Sequence, residues 1–92
     1  MTLAPAHGAR FEIARETTSS AGAVYRVSVL DAHARHEARV SLEAASLEMR
    51  WVSEPPPWIA ETVHGFVKIL QKNHAHDGSW PARLVRWRSE RT

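Results

Sequence analysis

Between Arg10 and Thr18 apolar and polar residues alternate, Phe11 and Ile13 on one side and Glu12 and Glu16 on the other, as a half-buried strand requires. Ser19, Ser20, Ala21 and Gly22 are small and turn-forming, and Gly22 can supply a positive φ, so a hairpin is predicted there. Val24 to Leu30 is rich in β-formers, and Tyr25, Val27 and Val29 share the parity that points to a core. After the polar Asp31 to His36, Ala38, Val40 and Leu42 alternate with Glu37, Arg39 and Ser41 in a third strand.

The parity then changes, because Leu47, Met49 and Trp51 are apolar at odd positions. A period-two pattern cannot switch parity without a bulge or a turn, so residues 37–52 form one bulged strand or a hairpin of two. A helix through Leu42 to Met49 is the third reading, since Leu, Glu, Ala and Met favour helix; the strand readings rank first.

Three prolines, Pro55 to Pro57, stop the strand and suit the first turn of a helix. From Trp58 to Lys72, Ile59, Val63, Phe66, Val67 and Leu70 recur on one helical face, with Glu61 early and Lys68 and Lys72 late to complement the macrodipole. Asn73 is the expected stop, and Gly65 is expected where the helix passes close to the sheet. His74 to Pro81 is turn-rich, and Ala82 to Arg88 reads as a last strand in which Val85 and Trp87 share one face and Arg86 and Arg88 the other. The order is β-β-β(-β)-α-β: an α+β fold whose antiparallel sheet has four strands, five if the third is split, with one amphipathic helix packed on one face. Residues 1–9 lack any period and are expected to be a flexible N-terminal tail, leaving 10–92 as a single domain.

Composition adds limits. The 92 residues hold no cysteine, which removes disulfides, thiolate metal sites and cysteine nucleophiles and favours a reducing, cytoplasmic setting. No secretory signal or stretch of membrane-spanning length is present, so no membrane partner is expected. The net charge is only +2, but it is uneven: residues 1–63 carry six Arg against eight acids, and residues 64–92 carry six cations against two acids. The basic character is C-terminal.

Three clusters could carry function. Lys68, Lys72, Arg83, Arg86 and Arg88, with aromatic neighbours, could bind single-stranded nucleic acid, because guanidinium groups pair with phosphate and aromatics stack on bases. Trp80 and Trp87, if exposed, would mark an interface, while Trp51 and Trp58 are expected to wrap the helix entrance. His74, His76 and Asp77 are a short set of ligands for a divalent metal, although they lack the spacing of an established zinc site and no other cofactor is suggested. The competing explanation for each is ordinary: a solvated edge, core packing, and a polar turn. No nucleophile beside a base, paired carboxylates or Gly-rich phosphate loop is visible, so catalysis is not expected. The leading reading is a small non-enzymatic binding or protein-interaction module that could pair as a homodimer, through the exposed sheet face or the edge of the last strand; nucleic-acid binding through the C-terminal Arg/Trp strand is the alternative.

Overall fold

The computed structural model describes residues 8–89. They form one five-stranded antiparallel sheet and one helix: β1 (Ala9–Thr18), β2 (Gly22–Asp31), β3 (Arg35–Glu43), β4 (Leu47–Trp51), α1 (Pro57–Asp77) and β5 (Arg83–Arg88). The spatial order is β4-β3-β2-β1-β5, so the first four strands follow one another as a meander and the chain then crosses one face as α1 to place β5 beside β1. The fold is α+β.

The parity change before residue 47 is a hairpin. Leu42 pairs with Leu47 and Val40 with Met49, and Glu43 N–H donates to Ser46 O at 3.0 Å to close the turn. Facing residues across this turn have opposite parity, so Ala38, Val40 and Leu42 share a face with Leu47, Met49 and Trp51. The helix alternative for this stretch does not form.

One face of the sheet and one stripe of α1 make the core. Phe11, Ile13, Tyr25, Val27, Val29, Ala38, Val40 and Leu42 are buried with Ile59, Val63, Phe66, Val67 and Leu70. Phe11 meets both Trp58 and Phe66 edge to face, at 6.1 and 5.5 Å between ring centres, and thereby joins β1 to the start and the middle of the helix. Trp51 and Trp58 pack against this core partly buried, as expected for indoles at the helix entrance. Gln71, a polar residue 9 % exposed in the helical stripe, donates from Nε2 to the carbonyl oxygens of Glu43 and Ser46, tying α1 to the β3–β4 turn.

Several local expectations are corrected. The helix does not stop at Asn73 but runs to Asp77, because no residue from Asn73 to Asp77 breaks it; Gly78 ends it in the left-handed conformation, φ 79°, with its N–H on His74 O. That extension places Lys68 and Lys72 inside the helix, with His74 and His76 as the basic residues of the last turn; at the other end the helix starts at Pro57, so Glu61 lies just past a first turn that holds no acidic residue. Gly22 has no positive φ; it is glycine because β2 starts against β3, where a Cβ would collide with the carbonyl oxygen of Leu42. Ala9, assigned to the tail, is buried and pairs with Asp31 and Arg88; residues 1–7 of that tail lie outside the described residues.

Gly65 is also corrected: it is exposed, and a Cβ built there meets nothing within 4 Å, so the helix does not approach the sheet at this point. Gly65→Ala is therefore expected to stabilise the protein by about 0.5–1 kcal/mol through helix propensity and loss of unfolded-state freedom. Thermal unfolding would show a rise of about 2–8 °C in a domain of this size. A fall in Tm would mean that the position is crowded after all.

Candidate functional site on the uncovered sheet face

The helix covers one face of the sheet, and the residues of opposite parity form the other. Register decides what this second face presents. Arg83 pairs with Ala14, Ala14 with Arg26, Arg26 with Arg39 and Arg39 with Arg50, so one transverse row crosses all five strands and carries an arginine on four of them. With strands about 4.8 Å apart, the row is about 19 Å wide. The next row along the strands is Val85, Glu12, Ser28 and Glu37, and beyond it stand Trp87, Arg10, Leu30 and Arg35.

Glu16 sits at the centre of the arginine row. The strand pairing of β1 slips between Arg15 and Thr17, and this irregularity sets the Glu16 carboxylate between two guanidinium groups. Arg39 Nε donates to its Oε1 at 3.0 Å, and Arg26 Nη2 donates to its Oε2 at 3.3 Å. The other carboxylates attend the ends: Arg50 Nε donates to Glu48 Oε1 at 2.9 Å, and Arg83 Nη2 donates to Glu12 Oε2. All four arginines remain solvent-exposed. Between β2, β3 and β4 the surface dips into a shallow depression of about 620 Å³ lined by Arg26, Arg39, Arg50, Glu37, Trp51 and Val52.

Of the four indoles, Trp87 alone is largely exposed, at 55 %. It projects from the same face as Arg83 and Val85 and stands opposite Arg10. Trp87 lies four positions along β5 from Arg83, about 13 Å at the usual rise of a strand.

Proximity in the chain groups the candidate residues differently. Arg83 joins the uncovered face, but Arg86 and Arg88 point to the helix side, where the Arg88 guanidinium lies 5.3 Å from the centre of the Phe66 ring. Lys68 and Lys72 are on α1, so neither shares a surface with Arg83 and Trp87. Trp80 is 7 % exposed and stacks on His74, ring centres 3.9 Å apart and planes 9° from parallel, so it packs inside this chain and is not a surface anchor. Its carbonyl accepts from Arg15 Nη1 at 2.6 Å, and the Tyr25 hydroxyl donates to Pro81 O at 2.6 Å, which together fix the entry to β5. Burial pushes the Tyr25 phenol up, despite the opposing effect of the Arg15 guanidinium.

The histidine set belongs to the last helical turn and not to a loop. The His74 ring is engaged with Trp80, and Asp77 Oδ1 accepts both the N–H and the hydroxyl of Ser79, which hold that carboxyl below the usual range. Among the described residues no group of three or more His, Cys, Asp or Glu side chains is close enough to hold a metal ion.

A different carboxylate and imidazole do meet. His36 Nε2 donates to Asp31 Oδ2 at 2.9 Å while the N–H groups of His33 and Ala34 donate to Oδ1, both at 2.7 Å. Burial raises the Asp31 pKa, but these three donors outweigh it and the carboxyl ends lowered. A lowered carboxyl stabilises the fold above its unfolded pKa, and that contribution vanishes as the pH falls through the folded value. Asp31→Asn is accordingly expected to flatten the loss of stability on going from about pH 5 to about pH 2. Denaturant unfolding across that range measures it; an unchanged slope would show that Asp31 titrates alike in both states.

Comparison with family models, with curated proteins and with solved structures finds no match to this chain. The site is left to its own chemistry. No described helix is long and apolar enough to cross a membrane.

Proposed function

We propose that this chain is a non-enzymatic binding module whose ligand lies on the sheet face that α1 leaves uncovered. The observation that carries the reading is the arginine row. Like charges directly opposite one another on neighbouring strands destabilise a sheet, and here Arg26 faces Arg39 and Arg39 faces Arg50. Exposed ion pairs such as those with Glu16 and Glu48 return little, about 0–1 kcal/mol each. A sequence that accepts this conflict in three separate strands keeps it for something other than folding.

Self-association through the β5 edge is a weaker reading. Arg83, Arg86 and Arg88 make half of that strand, and a second copy adding there would bring arginines together.

Stability measurements test the proposal without reference to any ligand. Arg39→Thr removes two like-charge confrontations and places a β-branched residue in the strand, so Tm should hold or rise. Arg26→Thr should behave alike. If either variant loses more than about 1 kcal/mol, the arginines hold the sheet together and the proposal falls.

A further inference from the structure

Resting on that reading, we infer that the ligand of the uncovered face is single-stranded nucleic acid, its phosphates set against the arginine row and a base stacked on Trp87. The row offers guanidinium groups on β4, β3, β2 and β5, each exposed and each in a transverse line with its neighbours. A line of separated guanidinium groups matches a chain of repeated phosphates better than it matches one compact anion, because each fork can take a phosphate bidentately.

The indole adds what a bare polyanion would not need. Trp87 is 55 % exposed beside Arg10 and Val85, with its partner Arg10 held at 3.8 Å from Glu12. An exposed indole flanked by a guanidinium is a stacking platform for a base, and stacking accepts any base because each has a π face. An open sheet face suits a single strand, whose bases are already splayed, and offers no helix or ribbon to enter a duplex groove.

Glu16 gives the inference its sharpest consequence. Its carboxylate occupies the guanidinium forks of Arg26 and Arg39, which a phosphate would need, so Glu16 competes with the ligand. Replacing it should tighten binding to a phosphate chain and would weaken binding to a basic partner.

The experiment follows the anisotropy of a fluorescein-labelled oligo-dT and an oligo-U, each about twelve nucleotides, titrated with the full chain from about 20 to 200 mM salt. Heparin and inorganic polyphosphate serve as competitors. Expected are binding that weakens with salt, a several-fold loss with Arg39→Gln and a shallower salt slope by about 0.7. Trp87→Ala should weaken binding about five-fold or more and abolish a ligand-induced quench of indole fluorescence. Glu16→Gln should strengthen it, while Lys72→Gln on the helix changes it least. Absence of binding at the lowest salt overturns the nucleic-acid assignment and leaves the uncovered face to be judged by its stability test. Equal competition by polyphosphate with no effect of Trp87→Ala also overturns it, in favour of a general polyanion. Binding that answers to Lys72→Gln and ignores Arg39→Gln and Glu16→Gln overturns the site as well.

Discussion

Replacing Phe11 with alanine is expected to cost about 3–5 kcal/mol, more than any other substitution proposed for this chain. The ring is fully buried and touches Trp58 and Phe66 edge to face, so its removal opens a cavity where β1 meets the helix and strips both neighbours of their aromatic contact. A domain of this size is stable by only about 5–15 kcal/mol, so a substantial share of the margin disappears. Urea unfolding should show a much lower midpoint with an unchanged slope. A loss below about 1 kcal/mol would mean that β1 and α1 are not packed through this ring.

The second large effect comes from the smallest possible change. Gly22→Ala adds one methyl group, yet that carbon would collide with the Leu42 carbonyl oxygen across the β2–β3 ladder. Backbone cannot swing aside as a side chain can, so the strands must part at the start of their pairing, where Gly22 faces Glu43. A cost of about 1–3 kcal/mol or more is expected. The same substitution at Gly65 is expected to stabilise. Measuring both by thermal unfolding compares identical chemistry in two environments; equal shifts at the two positions would refute the difference in packing between them.

The architecture is legible in the sequence wherever a single element carries its own signal. Tyr25, Val27 and Val29 show β parity, and Ile59, Val63, Phe66, Val67 and Leu70 show a helical stripe; the structure buries both sets. The parity change before Leu47 likewise announces a break, and a hairpin is one of the two ways to make it. What stays hidden depends on long-range register or on close approach. Nothing local in His74 or Trp80 says that their rings will stack, and the histidines of the last helical turn read as a loop because Asp77 and Gly78 suggest a turn.

The candidate site is half legible for the same reason. Arg26, Arg39 and Arg50 each stand between inward-facing neighbours, so their outward direction follows from alternation. Their alignment does not: it needs the register of three hairpinned strands, and Arg83 joins only after the helix has crossed the sheet. Nearness in the chain draws Arg86 and Arg88 together with Arg83, whereas the pleat sends them to opposite faces. Trp87 stands out in the sequence as an aromatic among arginines, and only the structure shows that its ring is exposed on the face that carries the arginine row.

The most direct test of where a ligand sits is an amide chemical-shift map of the labelled protein titrated with the twelve-nucleotide oligo-dT. Shifts are expected to concentrate at Ala14, Arg26, Arg39, Arg50, Arg83 and Trp87, while amides of α1 from Ile59 to Gln71 stay in place. Shifts centred on Lys68 and Lys72, with the arginine row unmoved, would contradict a ligand on the uncovered face.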